Sequence, residues 1–227
     1  MKILCISDTH GFHNQLIIPE GIDMIIHAGD ISNHKEFTKN SIECINFLNW
    51  YSVLNIKHKI LIPGNHDGYL EWSLDYNNID SLKANHPTIN FLFHEETTIK
   101  GIKIFGSPYT PTFFSWSFMR DRSVLHRYWN SIPSNTDILI THGPPKGILD
   151  LAYGETLEYC GDKSLLNKVL EIQPQYHIFG HIHENEDCYN KGTRTLDNCK
   201  TTFINASCVT DGKFNKGLTS QGIIINI

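Results

Sequence analysis

The sequence predicts an α/β (α+β) protein in which a mixed two-sheet β-sandwich is flanked by helices. Short apolar segments of strand length alternate with longer segments whose apolar residues have helical spacing. Two further stretches indicate successive strands without intervening helices, which adds sheet beyond a simple βα alternation. The expected strands cover residues 2–7, 23–28, 59–62, 137–141 and 176–179, the expected helices 36–54 and 163–172, and the successive strands 89–105 and 201–227, with turns at Lys100-Gly101 and near Gly217.

Length and composition favour one domain. The chain has 227 residues, of which 40% are hydrophobic, and no repeat or Pro/Gly/Ser linker divides it, so residues 1–227 are expected to fold together. The formal net charge of -5 argues against a broad basic face for duplex nucleic acid. No segment resembles a signal peptide or a membrane span. Because the six cysteines are scattered and lack a CxxC pair, we expect a cytoplasmic protein with reduced thiols, and a disulfide within the last third stays open.

Polar motifs follow the ends of the predicted strands. In open α/β sheets, ligands gather beyond the carboxyl ends of the strands, where the connecting loops carry the chemistry. Five such loops are therefore expected to converge on one site. Their motifs are Asp8-Thr9-His10, Gly29-Asp30, Gly64-Asn65-His66-Asp67, His142-Gly143 and Gly180-His181-Ile182-His183.

The donor groups in these loops are carboxylates, one amide oxygen and several imidazoles. This mixture suits Mn, Fe or Zn better than the all-oxygen sites of Mg or Ca. Two such ions, roughly 3.5 to 4 Å apart, can share a bridging carboxylate and a hydroxide, and Asp30 is the candidate bridge. Since side chains alternate along a strand, Asp8 and His10 are expected to face one side, as are His181 and His183. The glycines that precede three of the motifs allow close backbone approach.

Each motif taken alone also has a structural explanation. Asp-Thr-His occurs in turns and caps, Gly-Asn-His-Asp in Asx turns, and Thr-His-Gly-Pro-Pro in stiff loops. Gly-His-x-His after an apolar strand is the most specific single signal. A purely structural explanation must account for five strand ends that all carry potential ligands, so a metal site is favoured.

The order of the motifs resembles the calcineurin-like metallophosphoesterases over nearly the whole chain. Longer strings are similar to the MPPED-type phosphodiesterase branch, namely residues 26–30, 106–108, 141–145, 179–184 and 204–207. The family fold is a two-sheet sandwich with helices outside. The resemblance implies that His66 acts near the leaving group without binding metal. It also implies one ion held by Asp8, His10, Asp30 and His183, and another held by Asp30, Asn65, His142 and His181.

The activity implied by this resemblance is hydrolysis of a small phosphodiester, a cyclic nucleotide being one candidate. A hydroxide held between two divalent ions would attack in line. Protein serine/threonine phosphatases of the superfamily extend the second motif to Gly-Asp-x-x-Asp-Arg-Gly, whereas this chain has Gly29-Asp30-Ile31-Ser32-Asn33-His34-Lys35, which disfavours that class. Two alternatives stay open: a non-catalytic scaffold stabilised by metals, and a single-stranded nuclease.

Residues outside the proposed ligand set receive simpler assignments. The aromatic and arginine-rich segment 109–129 is expected either to stack a base beside a phosphate or to form core or dimer contacts. His13 is expected on a surface loop, and His27 and His177 in the core. Asp67 is expected to orient His66, and Glu184 to orient a ligand imidazole.

Overall fold

A computed structural model describes residues 1–153, 156–210 and 217–227, which form two facing β-sheets with helices on both outer sides. The first sheet has five strands, numbered in chain order: β1 (Lys2–Ile6), β2 (Met24–His27), β3 (His58–Leu61), β4 (Ile89–Phe91) and β15 (Ile223–Asn226). Their order in the sheet is β15-β1-β2-β3-β4. Strands β1 to β4 are parallel, and β15 pairs antiparallel with β1.

The second sheet has six strands in the order β13-β14-β12-β9-β6-β5. Its four central strands are parallel, whereas β5 and β13 pair antiparallel with their neighbours. The strands are β5 (Glu95–Ile99), β6 (Ile102–Ser107), β9 (Ile138–Thr141), β12 (Tyr176–Phe179), β13 (Gly192–Leu196) and β14 (Cys199–Asn205). Two short pairs lie outside the sheets: β7 (Thr110–Pro111) with β8 (Met119–Arg120), and β10 (Leu151–Tyr153) with β11 (Leu157–Tyr159).

Within the part of the chain that the structure describes, five α-helices flank the sheets: α1 (Phe37–Val53), α2 (Gly68–Asp75), α3 (Ile79–Asn85), α4 (Arg122–Asn130) and α5 (Lys163–Ile172). Helix α1 starts where the Glu36 carboxylate accepts hydrogen bonds from the amides of Thr38 and Lys39. Asp162 caps α5 in the same way through the amide of Leu165. These caps satisfy amides that have no partner within the helix.

Three apolar layers hold the sandwich together. Ile26 and Ile60 of the first sheet meet Ile140 and Ile178 of the second in the central layer. The outer face of the first sheet packs against α1 to α3, and that of the second packs against α4 and α5. Because the central strands are covered on both faces, successive residues in each are buried, which explains their continuous apolar runs. The predicted two-sheet sandwich with outer helices is confirmed.

The expected elements agree with the structure within a few residues, and the turn at Lys100-Gly101 is present with positive φ at both residues. Segments 89–105 and 201–227 both contain successive strands, as expected, but in each segment the strands divide between the two sheets. Strand β4 lies in the first sheet and β5 and β6 in the second, whereas β14 lies in the second sheet and β15 pairs with β1 in the first. The expected turn near Gly217 borders residues 211–216, which lie outside the described residues. Helices α2, α3 and α4 were not predicted.

No helix within the described residues has both the length and the apolar character needed to cross a bilayer. All six cysteines lie in the described part of the chain, and each is a free thiol. The disulfide left open for the last third of the sequence is therefore absent from the structure.

Two buried histidines beneath the motif loops are neutral core residues, as predicted. His27 accepts a hydrogen bond from the Gly29 amide at 3.2 Å and donates to the Thr9 hydroxyl at 3.0 Å. His177 donates to the Thr141 hydroxyl at 2.8 Å. Burial lowers the pKa of each to about 3. Neither ring belongs to a described group of potential metal ligands.

These histidines predict a loss of stability in acid. Their folded-state pKa lies below the unfolded value near 6.5, so the unfolded chain takes up protons first. The free energy of unfolding should therefore fall below pH 6.5, by up to about 1.4 kcal/mol per pH unit per histidine. The free energy of unfolding can be measured by urea titration at several pH values between 6.5 and 4. It should fall less steeply with decreasing pH in His177→Gln than in the wild type. An equal pH dependence of the two proteins would contradict the assignment of His177 as a neutral core residue.

Candidate metal centre

The five motif loops meet at one edge of the sandwich, where the carboxyl ends of strands from both sheets lie together. Within the first sheet, the Asp8 amide donates to the Gly29 carbonyl at 2.9 Å. Between the sheets, the His181 amide donates to the Asp8 carboxylate at 3.1 Å, and His142 Nδ1 donates to the Ala28 carbonyl at 2.9 Å. The edge is therefore fixed by contacts that join the two sheets.

All seven predicted ligands are brought together at this edge. Within the described residues, three groups of three side chains place potential ligand atoms within 4.8 Å of one another: Asp8 with His10 and His183, Asp30 with His142 and His181, and His10 with Asp30 and His66. The seventh residue, Asn65, has its Oδ1 atom 2.9 Å from His142 Nε2. The first two groups are parts of the two ligand sets that the sequence resemblance implies, and the third adds His66 to the neighbourhood of His10 and Asp30.

Asp30 lies between the two groups. Its Oδ1 atom is 3.3 Å from His142 Nε2, and its Oδ2 atom is 3.7 Å from His10 Nε2. Two ligands of one ion with bonds of about 2.1 Å are separated by roughly 3 to 3.5 Å. The 3.3 Å separation falls in that range, the 3.7 Å separation lies just above it, and both are longer than an ordinary hydrogen bond. His10 Nε2 is buried and has no hydrogen-bond partner among the described residues. The residues therefore fit the binding of divalent metal, and Asp30 is the carboxylate that lies between the two ligand groups.

Backbone carbonyls select the ring nitrogen that faces the site. His10 Nδ1 lies 3.0 Å from the Ser32 carbonyl, and His142 Nδ1 lies 2.9 Å from the Ala28 carbonyl. A carbonyl oxygen only accepts, so Nδ1 carries a proton in both rings. Nε2 is then the nitrogen available to a metal, and the second hydrogen bond fixes the ring plane.

The charges of the cluster are strongly coupled. Burial would raise the pKa of Asp30, but His142 and His66 outweigh burial and hold it well below its usual value. Burial opposes protonation of His142, yet Asp30 and Asp8 raise its pKa to about 9. Burial lowers the pKa of His10 to about 4. The cluster thus holds ionised carboxylates and a protonated His142, and a bound cation would compete with that proton.

Glycines before the ligands make room for side chains from neighbouring loops, as expected from the sequence. A Cβ atom at Gly64 would collide with the Asp30 carboxylate and with the His142 ring. One at Gly180 would collide with the Asp8 carboxylate. Neither neighbour can retreat without leaving the metal centre, so both positions require glycine.

The alternation argument for Asp-x-His and His-x-His is wrong, although the side chains do converge. Strands β1 and β12 end at Ile6 and Phe179, before the ligands begin. Asp8, His10 and His181 have φ values of 52°, 41° and 69°, in the left-handed region that residues other than glycine seldom adopt. The direction of these side chains is therefore set by tight turns that follow the strands and not by the alternation of side chains along a strand.

His66 lies next to the predicted ligands and forms a potential ligand group of its own with His10 and Asp30. Its ring centroid is 4.7 Å from that of His10, and its ring stacks on Trp116 at 4.1 Å with an interplanar angle of 24°. Its backbone amide donates to Asp30 Oδ1 at 2.8 Å, and its Nδ1 atom lies 3.2 Å from the Asn33 carbonyl. Because Nδ1 faces the Asn33 carbonyl, Nε2 lies on the opposite side of the ring and points away from that carbonyl.

Asp67 does not orient the His66 ring, contrary to the sequence-based expectation. Its buried carboxylate accepts hydrogen bonds from the amides of Gly64, Asp30 and Ser32 at 2.8, 3.0 and 3.0 Å. Burial and the nearby Asp30 raise the pKa of Asp67 to about 6. Its role is to hold the second and third motif loops together. Glu184 forms an ion pair with Lys191 at 2.8 Å, so its carboxylate is engaged there and not with a ligand imidazole.

Two buried asparagines that sequence reasoning missed also hold the motif loops. Asn40 Nδ2 donates to the carbonyls of His34 and His66, each at 2.7 Å. Asn205 Nδ2 donates to the Ile182 carbonyl at 2.9 Å, which fixes the loop between His181 and His183. Asn40 falls at helical spacing with Cys44, Phe47 and Tyr51 on the buried face of α1. A single asparagine on an otherwise apolar helix face could have indicated that its side chain binds a buried backbone group.

The segment 109–129 divides between the core and the site. Phe118 and Trp129 are buried in the core, whereas Trp116 stacks on His66. Phe113 and Phe114 are 60% and 77% exposed. The expected core contacts are therefore present, whereas stacking on a base stays a prediction.

His13 is not on the surface, contrary to expectation. It is 4% exposed, and its ring packs against Phe47 and Trp50 with centroids 5.3 and 5.0 Å away. Burial lowers the pKa of His13 to about 4. The apolar face of α1, which lies over this loop, is the reason for its burial.

The comparisons with known proteins place this chain among proteins of the metallophosphoesterase class. It belongs to the calcineurin-like phosphoesterase family, whose model matches residues 1–185. The human metallophosphoesterase domain-containing protein 1 is 36% identical over 92% of this chain and 66% of its own length. A UPF0046 protein of Caenorhabditis elegans is 36% identical over 91% of this chain and 69% of its own length. The chain therefore spans about two thirds of these relatives.

Solved structures share the fold at low sequence identity. A Thermus thermophilus protein aligns with a TM-score of 0.61 at 13% identity, covering 91% of this chain and 88% of its own. The phosphopantetheinyl hydrolase of Mycobacterium tuberculosis aligns with a TM-score of 0.55 at 14% identity, covering 91% and 88%. The sequence resemblance to the calcineurin-like, MPPED-type proteins is confirmed, and the family supports phosphoester hydrolysis with divalent metal.

Proposed function

We propose that this protein is a phosphodiesterase that uses two divalent transition-metal ions, Mn, Fe or Zn, and acts on a small phosphodiester, with cyclic nucleotides among the candidates. The observation that carries the proposal is the position of Asp30, whose two oxygens face imidazoles of two separate ligand groups. When bound, two ions supply a nucleophile at neutral pH and neutralise charge on the phosphoryl oxygens.

The protein residues then have separate tasks. The first ion would be held by Asp8, His10, Asp30 and His183, and the second by Asp30, Asn65, His142 and His181. His66 stands next to Asp30 and His10. From there Nε2, after taking up a proton from solvent, would donate that proton to the departing oxygen or stabilise charge on it through a hydrogen bond.

The charge around His66 favours a diester over a monoester. A diester carries one negative charge, whereas a monoester dianion calls for additional cationic partners. The rings of His66 and Trp116 stack on each other. The cationic side chain described in contact with this pair is that of Lys35, whose Nζ atom lies 4.7 Å from the Trp116 centroid. Arg122 is engaged elsewhere, by the carbonyls of Cys160 and Gly161. The half-buried Trp116 ring offers an apolar surface to a second ester group.

A single-stranded nuclease is the second candidate. Phe113 and Phe114 are exposed neighbours with ring centroids 4.4 Å apart, on the segment that carries Trp116. Exposed aromatic rings stack on bases without sequence preference. Cleavage of a fluorescent oligonucleotide that Phe113→Ala and Phe114→Ala reduce would favour this candidate. A non-catalytic scaffold is disfavoured because His66 and all seven ligand residues are present.

The diester assignment predicts a substrate preference. Bis(p-nitrophenyl) phosphate should be cleaved with a higher kcat/KM than p-nitrophenyl phosphate when the protein is loaded with Mn. The two substrates release the same chromophore, so one absorbance assay compares them directly. Asp30→Asn protein, prepared identically, measures any contaminating phosphatase. A clear preference for the monoester would remove the diesterase assignment and leave the metal centre unaffected.

A further inference from the structure

The anchor of His66 lies on an irregular loop. His66 Nδ1 is 3.2 Å from the Asn33 carbonyl, which belongs to the segment between β2 and α1. A carbonyl on such a loop orients a ring only if the loop itself is held. The structure shows what holds it.

Glu43, on helix α1, binds both amides of that loop. Its Oε2 atom accepts from the Asn33 amide at 2.8 Å and from the His34 amide at 2.9 Å. Its Oε1 atom lies 2.6 Å from His34 Nδ1. Helix α1 is firmly seated, because Phe47 and Tyr51 are fully buried against the first sheet. The carboxylate is therefore a fixed point for the loop.

One peptide unit connects Glu43 with His66. The His34 amide and the Asn33 carbonyl belong to the same planar, trans peptide, so they point in opposite directions. Glu43 binds the amide side of this unit and His66 binds the carbonyl side. A charged acceptor on one side polarises the peptide and strengthens the hydrogen bond on the other.

We propose that Glu43 is a positioning residue for His66 and acts through the peptide that joins Asn33 to His34. It fixes the ring plane of His66 and holds one ring proton on Nδ1 through the Asn33 carbonyl, so that Nε2 faces the leaving group and can donate the second proton that the ring takes up from solvent. The inference rests on the proposed role of His66 in the reaction. It gives a chemical task to a carboxylate that belongs to none of the family motifs quoted above.

The charge state of Glu43 agrees with this task. Burial would raise the pKa of Glu43, but the amides of His34 and Asn33 outweigh burial and lower it, so the group is ionised at neutral pH. The loop also has an independent anchor, because Asn40 donates to the carbonyls of His34 and His66. Loss of the Glu43 carboxylate should therefore loosen the peptide without unfolding the loop.

The test compares Glu43→Ala and Glu43→Gln with a diester that has an alkoxide leaving group. Glu43→Ala should lower kcat by about 10- to 100-fold, the usual effect of losing a supporting hydrogen-bond partner. KM and metal content should stay unchanged. Glu43→Gln should retain most of the rate, because an amide oxygen can accept from both backbone amides. Glu96→Ala, which removes an exposed carboxylate from β5, is the matched control.

A double-mutant cycle separates this inference from the proposed function. If Glu43 acts through His66, Glu43→Ala should change the rate of a His66→Ala protein by less than about threefold. An undiminished loss in that background overturns the role of Glu43 and leaves the phosphodiesterase standing. An unchanged rate in His66→Ala alone would instead overturn the proposed role of His66.

A second readout does not depend on activity. Nitrogen NMR of histidine-labelled protein, with the His66 signals assigned through His66→Ala, should show a proton on Nδ1 in the wild type and in Glu43→Gln. Glu43→Ala should show a mixture of the two tautomers. If Glu43→Ala fails to fold, Glu43→Asp takes its place, since its shorter side chain cannot reach both amides. A His66 spectrum that stays unchanged in the variant overturns the proposal.

Discussion

Asp30→Asn is expected to remove both metal ions together and to lower kcat/KM on the order of 10³-fold or more. The carboxylate contributes one oxygen toward His142 and the other toward His10. An amide keeps one oxygen and replaces the other with a donor that repels a cation. Asp30 has a φ of 58°, a left-handed conformation that asparagine tolerates well, so the backbone should stay intact. Metal analysis after gentle purification, combined with a diester assay, measures both effects.

Asp8→Asn provides the matched comparison. Asp8 also has a left-handed backbone, with a φ of 52°, but it belongs to one ligand group only. This variant should lose the ion held with His10 and His183 and keep the other. If Asp30→Asn also loses a single ion, Asp30 is not the bridge. If the wild type binds only one ion at saturating Mn, the dinuclear centre itself is wrong.

Elements whose signal is local were predictable from the sequence. The central strands are covered on both faces, so β2 and β9 appear as short continuous apolar runs. Helix α5 was predicted with its observed ends, because Asp162 caps it and its buried residues Leu165 and Val169 have helical spacing. The predicted ligands Asp30 and His142 lie in the loops that follow β2 and β9, so the predicted strand ends indicated where the site lies.

Other elements depend on contacts that the local sequence does not encode. Helix α2 begins at Gly68, immediately after the motif Gly64-Asn65-His66-Asp67. The sequence there was interpreted as a ligand loop, so the start of the helix was not predicted. Helix α4 buries only Leu125 and Trp129 among polar and charged neighbours, so its apolar signal is weak. Strand β15 pairs with β1 from the opposite end of the chain. No local pattern specifies that pairing.

The structure brings the predicted ligand residues together, but through a backbone geometry that differs from the predicted one. Asp8 and His10 converge because both have left-handed backbones after the strand has ended. Asp67 binds three amides of two loops, and those partners come together only in the folded chain. Residue identity and spacing therefore predicted which side chains lie together at this edge. The conformations that aim them arise from tertiary hydrogen bonds.

His66→Ala is expected to impair chemistry and not metal binding. The ring lies beside the metal ligands, but its Nδ1 atom is held by the Asn33 carbonyl and its face rests on Trp116. An imidazole that donates a proton in the transition state contributes about 10² to 10⁴ in rate. The variant should lose a factor in that range in kcat for a diester with an alkoxide leaving group, while its metal content equals that of the wild type.

The leaving group separates acid catalysis from a general defect. p-Nitrophenolate departs without much protonation, so the effect of His66→Ala should be smaller for bis(p-nitrophenyl) phosphate than for a dialkyl ester. Misfolding would lower both rates equally. His66 also forms a potential ligand group with His10 and Asp30, so metal content must be measured beside each rate. Metal lost in proportion to activity would make His66 a ligand. Full activity on the dialkyl ester with metal retained would show that the proton comes from another donor.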